Sequence, residues 1–130
     1  KLLGMLTTPA LLERAVAWCL DQGLLRRHAE RVVQQLDAAR NRVVRLAQDS
    51  GCRFVTPPQG LFGWLDTGVD TELLAARLAA EGWLVAPGRL FMAAPQASSL
   101  MRVNFAAAQD AHFWGAFVAA RQHLGGQPVR

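Results

Sequence analysis

The spacing of apolar residues changes from helical to extended at Ser50–Gly51, and this change limits the folds that the chain can adopt. From Leu24 to about Asp49 apolar residues recur at helical spacing, which predicts one long helix. After Gly51, short extended stretches alternate with turns and with further helical stretches. We therefore expect an α+β fold, a two-layer sandwich in which a small, mostly antiparallel sheet has helices packed on it and is preceded by a long helix.

Helices and strands are expected in a definite order along this chain. The helices are predicted at Pro9–Gln22, Leu24–Asp49, Asp70–Glu81 and from Asp110 onwards. The strands are predicted at Arg53–Thr56, Leu61–Asp66, Trp83–Ala86 and Met101–Phe105. Thr8 is expected to cap the first helix with Pro9 as its first residue, and Pro87–Gly88 is expected to form a turn.

The length and composition are those of one domain. With 130 residues, 52% of them hydrophobic, the chain is long enough to bury its own core, so we expect a single domain over residues 1–130. Within it, residues 1–50 are expected to form a helical connecting segment and residues 51–126 the α/β core, while residues 127–130 are expected to be frayed.

Arginine supplies almost all of the positive charge, since the only lysine is Lys1. Six arginines lie between Arg26 and Arg45, where a nucleic-acid-binding helix is one interpretation. This segment lacks interleaved aromatic residues and helix-turn-helix spacing. The pattern therefore favours the solvated face of an amphipathic helix.

Other classes of site have little support in the sequence. Cys19 and Cys52 have no CxxC partners, so neither a zinc site nor a disulfide framework is indicated, and the scattered histidines predict no metal site. No serine lies in a GxSxG motif. No apolar stretch reaches the roughly 20 residues of a membrane helix, and no signal-peptide pattern is present. A cytoplasmic protein without membrane contact is therefore expected.

Arg102 is the candidate binding residue. Side chains alternate between the two faces of a strand, so Met101, Val103 and Phe105 are predicted to face the core, with Arg102 and Asn104 on the opposite face. A guanidinium held on a rigid strand suits bidentate binding of a carboxylate or phosphate. The alternative is an arginine that pairs with an internal carboxylate or is simply solvated, and the spacing alone leaves both open.

Four segments resemble, in order, the C-terminal small domain of pyridoxal 5'-phosphate (PLP)-dependent enzymes of the aminotransferase class I/II type, which is fold type I. They are PPQGLFGWLD, VDTELLAARLAAEG, WLVAPGRLF and LMRVNFA. The segment GLLRRHAERVVQQLDAARNRV resembles the connecting helix of the same proteins, so the resemblance covers residues 8–125. The segments MLTTPALLERAV, TGVDTE and SLMRVNFAAAQDAHFW are similar to the aminotransferase-like domain of MocR-type regulators, which carry an N-terminal winged helix-turn-helix of the GntR kind.

The resemblance implies a role for Arg102 and for no other residue of the chain. Arg102 matches the arginine that binds the α-carboxylate of the substrate, the same role that the strand pattern suggests for it. The lysine that forms the Schiff base with PLP, and the residues that bind the cofactor, belong to a large domain upstream. Asp66 and Asn104 are therefore given no cofactor role. We expect PLP in the full-length parent but not on this chain, which by itself is not catalytic because it has no internal lysine.

The resemblance also implies binding partners, and it leaves open two kinds of full-length parent protein. The expected partners are an amino-acid or 2-oxo-acid ligand, the chain's own N-terminal large domain and, as in the family, a second copy in a homodimer. One parent is a MocR/GntR-type bacterial transcriptional regulator, in which this domain senses the ligand and a separate N-terminal domain binds DNA. The alternative parent is a metabolic aminotransferase, which transfers an amino group between an amino acid and a 2-oxo acid. A third and weaker interpretation is an independent interaction or nucleic-acid-binding module.

Overall fold

A computed structural model of the protein describes residues 8–94 and 96–125. The helices are α1 (Ala10–Asp21), α2 (Leu24–Asp49), α3 (Thr71–Ala80) and α4 (Ala111–Leu124), with a 3-10 helix at Gly88–Phe91. The strands are β1 (Arg53–Phe54), β2 (Phe62–Asp66), β3 (Ala86–Pro87) and β4 (Leu100–Asn104). The predicted fraying of residues 127–130 and the first seven residues of the predicted helical segment lie outside the described residues.

The strands form one antiparallel sheet in the order β1-β2-β4-β3. One face of the sheet, which carries Leu65, Met101 and Val103, is buried in a core shared with α3, α4 and the second half of α2. The predicted α+β fold class, with a small antiparallel sheet and helices packed on it, is confirmed. The opposite face of the sheet, which we call the open face, carries Trp64 and Arg102 directly across from each other on β2 and β4.

Three aromatic rings of α4 form a cluster in the core. Phe113, Trp114 and Phe117 pack against one another with ring centroids 5.3 to 6.1 Å apart. The rings meet edge to face or tilted, which is the arrangement that the quadrupoles of aromatic rings favour. All three side chains are buried.

Carboxylates at the N-caps begin α3 and α4. The Asp70 Oδ1 accepts a hydrogen bond from the Glu72 N–H at 2.9 Å, and the Asp110 Oδ1 accepts one from the His112 N–H at 2.8 Å. Both satisfy backbone donors that the first turn of a helix leaves unpaired. The predicted cap of α1 is wrong, because Pro9 occupies the cap position in an extended conformation and the helix begins at Ala10.

The predicted third strand and the turn after it are also wrong. Only Ala86 and Pro87 pair with β4, and Gly88 begins a 3-10 helix instead of completing a turn. Trp83 cannot join the sheet, because its N–H donates to the Leu78 carbonyl at 2.9 Å to close the end of α3. Its ring packs on Phe113 in the helical layer, with the centroids 5.6 Å apart.

The chain divides into two compact units, Lys1–Gln35 and Leu36–Arg130, and the division falls inside α2. In the first unit, α1 buries none of its residues. In the second unit, Ala39, Val43 and Ala47 of α2 are buried. The single domain and the boundary after residue 50 stay predictions. Among the described residues, none of the helices combines the length and apolar character needed to span a bilayer.

Candidate carboxylate-binding site

Arg102 lies in the middle of β4, on the open face of the sheet. Its neighbours in the chain, Met101 and Val103, are buried in the core, whereas Arg102 is half-buried. The predicted alternation of side chains on this strand is confirmed. Trp64 of β2 and Ala86 of β3 lie directly across from Arg102 in the sheet, so a strand supports it on each side.

Two phenylalanine rings flank the guanidinium of Arg102. Its Cζ lies 4.6 Å from the centroid of the Phe62 ring and 4.4 Å from that of Phe91. Contacts of this kind stabilise by about 0.5 to 1 kcal/mol each at accessible sites. The Phe91 ring in turn meets the Trp64 ring edge-on, with the centroids 5.1 Å apart. The aromatic rings restrict the arginine side chain.

None of the carboxylates within residues 8–94 and 96–125 lies within 4.0 Å of the Arg102 guanidinium. The ion pairs in this part of the chain join Arg26 to Glu30, Arg40 to Asp37 and His112 to Asp110. The alternative of an internal salt bridge at Arg102 therefore finds no support among the described residues. The structure leaves a half-buried positive charge on the open face with its donors available.

A buried hydroxyl group fixes the 3-10 helix that carries Phe91. The Thr71 Oγ1 accepts a hydrogen bond from the Gly88 N–H at 3.3 Å and donates to the Ser98 carbonyl at 2.8 Å. A Cβ on Gly88 would lie 2.6 Å from the Leu100 carbonyl oxygen, so the backbone approaches β4 closely and only glycine fits. These contacts place Phe91 beside Arg102.

Sequence reasoning did not identify these supporting residues. Phe62 lies two residues before Trp64 on β2, so the alternation used for β4 would have put it on the same face as Arg102. Phe91 gave no such signal, because it reaches the site through a 3-10 helix whose position depends on distant hydrogen bonds.

Asp66 and Asn104, to which the sequence analysis gave no cofactor role, take part in local hydrogen bonds. The Asn104 Oδ1 accepts hydrogen bonds from the N–H groups of Ala106 at 2.9 Å and Ala107 at 3.3 Å, which turns the chain at the end of β4. The Asp66 Oδ1 accepts one from the Gly68 N–H at 3.1 Å. Each carboxylate or amide oxygen thus stabilises its own turn.

A groove of about 490 Å³ runs along β4 beside Arg102. It exists because residues 83–85 do not pair with the strand, as the sheet contains only Ala86 and Pro87 on that side. Its walls are the 83–86 segment, Phe62 and the turn after β4. Arg102 is itself among the residues that line the groove.

A second cluster, at Cys52, lies away from Arg102. The Arg121 guanidinium contacts the Cys52 Sγ and donates to the Ser50 carbonyl at 2.8 Å, which ties the end of α4 to the start of β1. Burial raises the pKa of the Cys52 thiol above its usual value, although the nearby Arg121 charge opposes the shift. A thiol with a raised pKa is a poor nucleophile. Among the described residues, no three His, Cys, Asp or Glu side chains are placed to bind a metal ion.

Two known proteins illustrate what the chain is similar to. The chain is 26% identical, over 98 residues, to aromatic-amino-acid aminotransferase 1 of Thermococcus litoralis, a match that covers 71% of this chain and 24% of that protein. Its fold is similar to the crystal structure of a multiple substrate aminotransferase from Thermococcus profundus, with a TM-score of 0.65 and 22% identity, covering 86% of this chain and 29% of that one. The fold is aminotransferase-like. No family model matches the sequence.

These similarities confirm, at the level of the fold, the predicted resemblance to aminotransferases. The chain spans 24% of the length of the curated relative and 29% of the solved chain. The similarity to MocR-type regulators stays a prediction.

Proposed function

We propose that this chain is the part of a longer, PLP-dependent aminotransferase-like protein that binds the carboxylate of an amino acid or 2-oxo acid. The observation that carries the proposal is the Arg102 guanidinium on the open face of the sheet, flanked by Phe62 and Phe91 and without a carboxylate neighbour among the described residues. The match to about a quarter of two aminotransferases supports the idea of a longer parent.

Arg102 binds the ligand through two parallel hydrogen bonds from its N–H edge to the two carboxylate oxygens. Such charge-assisted pairs are stronger than neutral hydrogen bonds and fix direction as well as position. The two neighbouring rings reduce the motion of the guanidinium before the ligand arrives, so less entropy is lost on binding. A carboxylate held in this way directs the rest of the ligand away from β4 toward the domain that carries out the chemistry.

We propose that this chain does not itself hold PLP. Its only lysine, Lys1, lies outside the described residues, and the cationic side chain at the candidate site is an arginine, which forms no Schiff base at physiological pH. When bound, PLP supplies the electron sink that amino-acid chemistry requires. We therefore assign the cofactor to a separate large domain and assign only the ligand's carboxylate to this chain.

Two observations point to different parents. The segment SLMRVNFAAAQDAHFW favours a MocR/GntR-type regulator, in which this domain senses the ligand and a separate winged helix-turn-helix binds DNA. Both similar proteins are aminotransferases by name, and one is named for aromatic amino acids, which favours a metabolic enzyme. Either parent is proposed to act as a homodimer. The complete open reading frame separates them, because only the regulator encodes a winged helix-turn-helix before the large domain.

The role of Arg102 is tested in the full-length protein with Arg102→Lys. We expect the affinity for the amino-acid ligand to fall about tenfold or more, because a point charge replaces a two-pronged contact, while the affinity for PLP is unchanged. Isothermal titration calorimetry measures the two affinities separately. The matched control is Arg89→Lys, at an exposed position on the 3-10 helix, which is expected to leave both unchanged. Equal losses of ligand and cofactor affinity in the Arg102 variant would contradict the proposal.

A further inference from the structure

The groove beside Arg102 is lined almost entirely by apolar side chains. Its volume of about 490 Å³ lies in the range of sites that bind small molecules. One wall is formed by residues 83–86, of which Leu84 is 93% exposed, and the other by Ala107 and Ala108, with Phe62 next to the guanidinium. An apolar ligand group in this groove would cover side chains that now face water.

Among the described residues, the groove has no charged side chain besides Arg102. Arg102 and Asn104 supply its polar side chains, and no lysine, histidine, aspartate or glutamate lines it. The Asn104 Oδ1 is already bonded to two backbone N–H groups. A second carboxylate on the ligand would lose hydration without meeting a second cation, and a cationic group would meet no anion.

We propose that the ligand held by Arg102 is an amino acid or 2-oxo acid with an uncharged, apolar side chain of the leucine or phenylalanine class, and that this side chain occupies the groove. The inference rests on the carboxylate-binding role proposed for Arg102 and adds to it the class of ligand. Because Arg102 lines the groove, the ligand that fits best has a carboxylate at one end and an apolar group at the other.

The test is a titration of the 130-residue chain with simple carboxylates, followed by amide chemical shifts in nuclear magnetic resonance spectra. The probes are acetate, 3-phenylpropanoate, 4-methylpentanoate and glutarate. We expect 3-phenylpropanoate and 4-methylpentanoate to bind at least about tenfold more tightly than acetate, because each buried methylene or ring adds hydrophobic stabilisation. Glutarate, which has a second carboxylate, is expected to bind no more tightly than acetate.

Two exposed leucines provide a matched pair of variants. Leu84 lines the groove, whereas Leu90 lies on the 3-10 helix and does not, and with 93% and 68% exposure neither supports the core. Leu84→Ala is expected to remove part of the advantage of 3-phenylpropanoate over acetate. Leu90→Ala is expected to leave that advantage unchanged.

The outcomes separate the two proposals. If acetate and 3-phenylpropanoate bind equally well and both lose affinity in Arg102→Gln, the groove inference is wrong and the role of Arg102 stands. Glutarate binding more tightly than 3-phenylpropanoate also overturns the groove inference alone. If no carboxylate binds in a manner that depends on Arg102, the proposed function is wrong, and the groove inference falls with it.

Discussion

Gly88 shows how one missing side-chain atom positions the candidate site. The backbone at Gly88 approaches the Leu100 carbonyl and the Ser98 hydroxyl so closely that a Cβ would lie 2.6 and 2.7 Å from their oxygens. One of these oxygens belongs to the backbone of β4, which cannot rotate away. The 3-10 helix that begins at Gly88 ends at Phe91. The close approach of Gly88 to β4 therefore determines where the Phe91 ring lies beside Arg102.

We expect Gly88→Ala to lower the free energy of unfolding by about 1 to 3 kcal/mol, because the new methyl group forces the 3-10 helix away from β4. Urea denaturation measures the change. The control is Gly115→Ala in α4, where a Cβ meets nothing within 4 Å and alanine favours the helix, so stability is expected to be unchanged or to rise by up to about 1 kcal/mol. Equal effects of the two substitutions would contradict this account of Gly88.

At the scale of residues, the site was only partly predictable. Alternation along β4 places Arg102 opposite the core, because that rule depends only on the backbone geometry of a strand. The neighbours that hold Arg102 depend on pairing between strands and on the Thr71 hydroxyl, which lies 17 residues from Gly88 in the chain. Spacing within one segment contains no information about such contacts.

The stabilisation of α4 by its N-cap residue, Asp110, depends on pH. Hydrogen bonds from the backbone and then from the side chain of His112 hold the pKa of the Asp110 carboxyl below its ordinary value of 3.8. A depressed pKa in the folded state means that the ionised cap stabilises the fold above the ordinary pKa. This contribution is lost as the pH falls through the lower, folded-state pKa.

We therefore expect Asp110→Asn to reduce the acid sensitivity of α4, because asparagine still accepts the hydrogen bond but does not ionise. Amide shifts of Ala111 and His112, followed as the pH is lowered below 3.8, report the start of this helix. Asp49→Asn, at an exposed position at the end of α2, serves as the control and is expected to leave these shifts as in the unchanged protein. An identical acid transition with and without Asp110 would show that the cap does not titrate as described.

Among the elements, α2 and β3 show what local sequence patterns can and cannot predict. The bounds predicted for α2, Leu24–Asp49, are confirmed because its apolar spacing is continuous over that range. The Trp83–Ala86 run is apolar enough for a strand, but its first residue is held by the end of α3. A glycine followed by an apolar residue after a helix is typical of such an ending, so the competing signal was present in the sequence.

At the scale of the whole chain, the second compact unit begins inside a continuous helix. Leu36–Arg130 contains the sheet and the core, and α2 supplies Ala39, Val43 and Ala47 to it. Sequence reasoning placed the α/β core from residue 51 onwards. It could not find a boundary within α2, because the helical periodicity is the same on both sides of Gln35 while the packing is not.

Two truncations test this division. A chain of residues 36–130 is expected to unfold cooperatively, because it keeps all the buried residues of the second unit. A chain of residues 51–130 is expected to lose at least about 3 kcal/mol of stability or not to fold, because three buried side chains of α2 are removed at once. Thermal unfolding followed by circular dichroism compares the two. Equal stability of both chains would show that the second half of α2 is dispensable.

The Thr71 hydroxyl links the position of Phe91 to the start of α3. It is buried at the start of α3 and touches both the 3-10 helix and the segment that leads into β4. A movement of the 3-10 helix would therefore either break this junction or carry the start of α3 along with it.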